Sequence, residues 1–180
     1  MNLFKDYYKY IIKKDFINKF KIKLNKKIPK IKKIILSFGC ENFSIQKLSS
    51  TVLALNVLAQ KKSSISPSKT PNILLKIQKG QPAGCKVTLQ KNEIYLFINK
   101  LNLEILPKLK NFLGFKIKKQ RFNFFLRLHG NKIQLQEFEK SYPLFSNLPT
   151  LNINIVTNTN NEQKILFLAK SFKIPVAKKN

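Results

Sequence analysis

Reactive side chains are few in this sequence of 180 residues, and none is spaced for catalysis. The one histidine, His129, stands beside Gly130, with Glu137 and Glu139 as its nearest acidic neighbours along the chain. A lone imidazole in such a setting is more often structural or solvated than catalytic. Nothing pairs Cys85 with His129 as nucleophile and base, and Cys40 and Cys85 lack metal-ligand spacing. Two thiols and one imidazole cannot complete a tetrahedral zinc site. Glu93 and Glu104 stand eleven residues apart on one expected helix. That is roughly three turns, too far for two carboxylates to share a proton. The run GQPAGCK lacks the length and the Gly-Lys-Ser/Thr ending of a nucleotide phosphate loop. The expectation is therefore a binding protein without catalytic residues, cofactor or metal.

What the sequence does offer is a basic, glycine-bearing hairpin at 76–89, reading KIQKGQPAGCKVTL. Gly80 and Gly84 permit positive φ and close approach of a partner, Pro82 stiffens the turn between them, and Lys76, Lys79 and Lys86 surround it with charge. Such a loop suits a polyanion, although locally it is equally a lysine-rich surface turn. The whole chain tips the balance. It carries 35 basic residues against 8 acidic ones, a formal charge of +27. A domain so charged repels itself, which points to nucleic acid, an anionic membrane surface or an acidic protein as its complement. Lysines occur in every segment rather than along one helical face, which favours the phosphates of structured RNA over a membrane.

The remaining composition bounds the class. With 43% hydrophobic residues and 15 Phe, the chain can fill a core, and its length suits one domain. No apolar run approaches the ~20 residues of a membrane-spanning helix. Only Arg121 and Arg127 are arginine, and the other basic residues are lysine. Lys, Asn, Ile and Phe all have codons of A and T alone, so their abundance indicates an A/T-rich genome, as in an organelle or a reduced bacterium. The basic, aromatic N-terminus is interrupted by Asp6 and Asp15 and lacks the arginine and serine of a transit peptide. A protein of an organelle with this start would be made there. The cysteines fit a reduced compartment and buried thiols.

The elements that must hold the hairpin are read from apolar spacing. Tyr8, Ile12, Phe16 and Phe20 recur every four residues, with Ile11 beside them, and predict an amphipathic helix whose other face is lysine. Pro29 introduces a β-branched strand at 31–38 that ends at Gly39. Ser44 can cap a second helix with a stripe of Ile45, Leu48, Val52, Leu55 and Leu58, closing at Gln60, Lys61 and Lys62. Residues 63–72, with Pro67 and Pro71, read as an extended loop into the hairpin. A helix is expected at 93–106 with Pro107 near its end, and a strand at 122–128. Residues 130–142 choose no period and read as loop. A strand at 152–156 and a turn at 157–161 lead to a helix carrying Ile165, Leu166, Ala169 and Phe172, which Pro175 ends. The order α, β, α, β, β, α, β, β, α predicts an α+β fold: a largely antiparallel sheet of about five strands with helices packed against it. One RNA-binding domain is expected over 1–176, followed by a loose basic tail from Ala177 to the end at 180.

Several segments also carry a family likeness. They are KDYYKYIIKK at 5–14, IPKIKKIILSFG at 28–39, Gln60 and Lys61 closing the second helix, and KIQKGQPAGCKVTL at 76–89. Gly130 and Asn131 stand thirteen and twelve residues before Pro143, and LNINIVTNTNNEQKILFLAKSFKIPV fills 151–176. Nearly end to end the chain resembles the universal large-subunit ribosomal protein family, fifth in the bacterial numbering, that binds 5S rRNA in the central protuberance. The hairpin is similar to the family pattern F-K-I-R-x-G-x-P-x-G-x-x-V-T-L.

The resemblance implies an α+β fold that holds 5S rRNA through the first strand, the end of the second helix and the third strand. By position it implies Gln60 and Thr88 as hydrogen-bonding residues toward that RNA, with Lys30, Lys33 and Lys61 as phosphate contacts by charge. Ser37 stands where the family usually has Asn, which shortens the reach of that contact. Lys76, Gln78, Lys79, Gly80, Gln81, Pro82 and Gly84 fall where the family approaches the elbow of P-site tRNA. The loops at 113–119 and 130–143 fall where it bridges to a protein of the small-subunit head. The link after Gly39 is shorter than in bacteria, and Lys132, Ile133 and Leu135 replace the family's Tyr, Ser and Gly. Other implied partners are large-subunit rRNA and neighbouring central protuberance proteins. With the A/T-rich usage, the expected location is a mitochondrial ribosome, or a plastid one. The rival from another class is a free-standing basic RNA chaperone or a binder of anionic membrane surfaces.

Overall fold

The N-terminal segment shows how the four-residue apolar repeat is accommodated. A computed structural model of the chain describes residues 3–22, 24, 27–39, 45–71, 73, 77–109, 114–118, 123–129, 136–159 and 161–177. Helix α1 (Leu3–Tyr7) passes through a π turn (Tyr8–Ile12) into α2 (Lys13–Phe20). A strict period of four drifts off one face of an α-helix, which turns every 3.6 residues. One wider π turn takes up the drift. Tyr8, Ile12 and Phe16 are accordingly buried, whereas Ile11 is exposed.

Strand β1 (Ile31–Gly39) follows, with Ile34, Leu36 and Phe38 buried and the alternate positions only half-buried. Helix α3 (Ile45–Ala59) buries Thr51, Ala54, Leu55 and Leu58, the spacing of one helical stripe. The expected stripe was right only at its C-terminal end, because Ile45 is exposed and Leu48 and Val52 are half-buried. Three mid-helix hydroxyls, of Ser49, Ser50 and Thr51, donate to carbonyls one turn back, which keeps these polar residues compatible with the helix.

Part of the expected loop at 63–72 is a strand. Strand β2 (Ser64–Pro67) pairs antiparallel with β3 (Pro82–Leu89), with a register shift at Ser66/Pro67. A serine- and proline-rich edge strand carries no apolar alternation, and its proline sits at the irregularity, where a missing N–H is tolerated. After β3 come α4 (Asn92–Lys100) and a second π turn (Leu101–Ile105) that ends before Pro107, close to expectation. The expected loop at 113–119 contains β4 (Lys116–Lys118), paired antiparallel with β5 (Asn123–Leu128). The region read as loop at 130–142 contains the short helix α5 (Gln136–Lys140), followed by α6 (Tyr142–Phe145) with a proline in its first turn. Residues 130–135, with Gly130, Asn131, Lys132, Ile133 and Leu135, lie outside the described residues, as do Cys40 and Ser44.

Strand β6 (Leu151–Thr157) alternates between buried and half-buried, and α7 (Glu162–Ser171) is capped by Asn161, whose side chain accepts from the Gln163 N–H at 3.0 Å. The helix closes with Lys173 at φ 56° and the Ile174 N–H on the Ala169 carbonyl at 2.9 Å. That is a Schellman-type cap with lysine in the place glycine usually takes. The chain beyond it is not loose at its start: the Ala177 N–H donates to the Phe115 carbonyl at 3.1 Å. Gly114, with φ 98°, allows this, since a Cβ there would meet the Ala177 nitrogen at 2.5 Å.

The six strands form one sheet in the order β2-β3-β1-β6-β5-β4, so the fold is α+β with a largely antiparallel sheet, one strand more than expected. By contacts the chain divides into two units: Met1–Ile34, Leu89–Leu126 and Asn154–Asn180 in one, Ile35–Thr88 and Arg127–Ile153 in the other. In the first, Tyr8 stacks on Phe172 at 5.9 Å, and Phe16 meets Phe167 edge to face at 4.8 Å. In the second, Phe38, Leu55, Leu58, Cys85, Val87 and Ile153 are among the buried residues.

Candidate nucleic-acid interface

The hairpin tip is held by its own backbone. The Gln81 N–H donates to the Gln78 carbonyl at 3.3 Å, closing a four-residue turn whose third residue, Gly80, has φ 89°. Only glycine adopts that conformation without strain, so this position is dictated by the turn. The Gln81 side chain reinforces it, accepting from the Gln78 N–H at 2.9 Å, and Ser68 braces it from the other arm. The Ser68 N–H donates to the Gln81 carbonyl at 2.7 Å, and the Gly80 N–H to the Ser68 carbonyl at 3.0 Å. Gln78, Lys79 and Gly80 stand exposed at the end of this ordered turn, with Gln81 half-buried. Lys76 lies outside the described residues.

The other two tip residues act differently from expectation. Pro82 is not between two turn glycines; it opens β3, opposite Pro67. Gly84 is a buried strand residue without positive φ, and a Cβ there would lie 2.2 Å from the Phe38 carbonyl oxygen. Close approach of β1, not turn geometry, is what requires glycine at this position.

The second group of residues converges where α3 meets β3. Gln60 ends the helix in the left-handed conformation, φ 50°, and is exposed. This bend turns the chain so that Lys61 reaches β3, where its Nζ donates to the Thr88 carbonyl at 3.2 Å. Two of the expected contact residues are thus joined directly, although 27 positions apart. Asn56 locks the exit by accepting from the Ser63 N–H at 2.7 Å, and Ser64 Oγ donates to the Lys86 carbonyl at 3.2 Å. Along β3 the odd positions Cys85, Val87 and Leu89 are buried, while Lys86 is exposed and Thr88 half-buried on the opposite face. Ser64 and Ser66 on β2 are register partners of Lys86 and Gly84 and share that face. Ser37 is half-buried at an alternate position of β1. This side is polar and basic: lysine ammonium, hydroxyls and a carboxamide, all of them groups that pair with phosphate, ribose or base edges.

Lys30 and Lys33 belong to the other unit. Lys30 is exposed and Lys33 half-buried. The backbone under Lys30 is fixed by a residue that sequence reasoning missed. Asn158 Oδ1 accepts from the Lys30 N–H at 2.7 Å, its Nδ2 donates to the Ile28 carbonyl at 3.1 Å, and its N–H donates to the Lys30 carbonyl at 3.2 Å. In the sequence Asn158 is one turn-forming residue among several in TNTNN; its partners are some 130 positions away.

No acid–base machinery accompanies these groups. His129 is exposed and Cys85 is buried. The perturbed hydroxyls are structural: burial pushes Tyr8 well above the ordinary tyrosine range, with Tyr95 adding to it, and burial raises Tyr95. Tyr8 donates to the Pro29 carbonyl at 2.9 Å, at the entry to β1. Among the described residues no three His, Cys, Asp or Glu gather as a metal site, and no helix is long and apolar enough to cross a membrane.

Comparison with known proteins adds an independent line. The profile of the C-terminus of the ribosomal protein uL5 family matches residues 82–176, more than half of the chain. The chain is 30% identical to the large ribosomal subunit protein uL5m of Reclinomonas americana, over 99% of this chain and 100% of that one. It is 29% identical to uL5 of Nitrosomonas europaea, over 94% and 96%, and 31% identical to uL5 of Campylobacter hominis, over 99% of each.

Proposed function

This chain belongs to the ribosomal protein uL5 family, and on that premise we propose that it docks RNA of the central protuberance in the large ribosomal subunit and steadies P-site tRNA. Its role is structural, not enzymatic. In this reading the docked RNA is 5S rRNA where the ribosome carries one. Gln60, Lys61 and Thr88 meet it together with Ser37, and Lys30 and Lys33 supply further phosphate contacts.

The observation that carries the reading is the Lys61–Thr88 hydrogen bond. It fixes the end of α3 against β3, so that the groups the family likeness assigns to RNA form one pre-ordered surface. Pre-ordering matters because a lysine held in place loses less side-chain entropy on meeting a phosphate. The tip residues Gln78, Lys79 and Gly80 reach tRNA, with Lys76 in the same role, while Gln81 holds the turn. The segments 113–119 and 130–143 form the bridge to the small-subunit head. A mitochondrial ribosome is the proposed location, in accord with the lysine- and asparagine-rich usage and the uL5m relative.

Binding of the chain to central protuberance RNA at graded salt tests the surface. Lys61→Ala together with Gln60→Ala is expected to weaken binding about tenfold and to lower the log–log salt slope by roughly 0.7 to 0.9, the value for one lost phosphate contact. Lys108→Ala, remote in sequence and exposed, serves as the control. Equal binding by all three proteins counts against the surface.

A further inference from the structure

One concave feature of the molecule has no part in the RNA surface. In the unit containing the chain's N-terminal segment, a groove of about 610 Å³ opens beside the start of α1, the π turn after α4 and the segment following α7. Leu3, Phe4, Leu103, Leu106, Pro107 and Pro175 line it. Leu3 is 76% exposed and Leu103 is 69% exposed, so hydrocarbon faces water at the mouth. Clustered apolar exposure of this kind marks a surface that something covers.

The groove carries two polar features. Lys173 lies in its wall, exposed and held at φ 56° by the cap of α7, so the position of its side chain is set by the fold. Asn102 is anchored by Nδ2, which donates to the Phe172 carbonyl at 2.8 Å, while its Oδ1 is buried with no hydrogen-bond partner. A buried acceptor without a donor is costly and uncommon in native structures.

These features select among occupants. Leucine and proline side chains offer a ribose-phosphate chain no donors, so RNA gains little here. A second copy of this chain brings the same charge of +27. A peptide with aliphatic side chains matches the walls, a carboxylate beside them matches Lys173, and a main-chain N–H supplies what Asn102 Oδ1 lacks. We propose that the groove receives an apolar, acid-flanked segment of a second protein of the large subunit. The inference rests on the large-subunit assignment and adds a protein contact to it.

The test places the photoreactive residue benzoylphenylalanine at position 103, in place of the exposed Leu103, and irradiates large subunits assembled with that chain. The expected product is a crosslink to one segment of one other subunit protein, containing aliphatic residues next to Asp or Glu. Adding Lys173→Asn should lower its yield two- to fivefold, the scale of one exposed ion pair. Asparagine accepts the left-handed conformation better than lysine, so that loss cannot come from misfolding. Crosslinks only to rRNA, to a second copy of this chain or to scattered peptides overturn the proposal. So does a yield unmoved by Lys173→Asn, or no crosslink in a chain that sediments with the subunit. A chain that does not sediment with the subunit overturns the large-subunit assignment itself, a separate and earlier failure.

Discussion

At the scale of single residues, two glycines of one hairpin do different jobs, and a substitution separates them. Gly84→Ala would force a Cβ to 2.2 Å from the Phe38 carbonyl oxygen, so backbone must move. Overpacking of this kind costs about 1–3 kcal/mol, which a urea melt would read as a lower midpoint at unchanged slope. Gly39→Ala, with nothing within 4 Å of the new Cβ, is the contrast and should change stability little. The sequence showed both hairpin glycines to be special but assigned both to positive φ; only contact with β1 distinguishes Gly84. Tyr8 gives a second residue-scale prediction. Its folded-state pKa lies above the unfolded value of about 10, so the neutral hydroxyl's contribution is complete below that pH and is lost as pH rises above it. Stability should therefore be flat with respect to this group through neutrality and fall in strong alkali. Tyr8→Phe should lose about 0.5–1.5 kcal/mol at pH 7, for the bond to Pro29, and show a weaker alkaline decline in melts followed by circular dichroism.

At the scale of elements, apolar periodicity made the helices and central strands legible, and its absence hid the edges. β1, β6, α4 and α7 alternate or repeat as their elements require. β2 escaped notice because serines and a proline make up an edge strand whose pairing comes from β3 rather than from its own side chains. In α3 the apolar residues surround much of the helix, so spacing alone could not tell the buried stripe from the outer one. The candidate site was legible through family likeness at Gln60, Lys61 and Thr88. Asn158 was not, because a clamp across some 130 residues leaves no local signal. The hairpin is the element with the clearest functional consequence. Replacing Lys76 and Lys79 with alanine should weaken retention of P-site tRNA severalfold, read by filter binding of mutant ribosomes, with subunit assembly intact. Unchanged retention would argue that the tip does not meet tRNA. Lys173→Gly should stabilise the end of α7 by about 0.5–1 kcal/mol, seen as a higher melting temperature, because lysine there holds a conformation glycine adopts freely.

At the scale of the whole molecule, a charge of +27 on 180 residues is the property that 8 acidic side chains cannot offset and that an RNA-rich assembly does. Composition alone could name a polyanion but not which one; the end-to-end likeness to large-subunit relatives turns that into a place. The most direct measurement is sedimentation of ribosomes through a sucrose gradient at moderate salt, with the chain followed by immunoblot. The account predicts that the chain travels with the large subunit and leaves it only as salt rises steeply, as counterion release requires. A chain found mainly at the top of the gradient at moderate salt, while other large-subunit proteins remain bound, would contradict it.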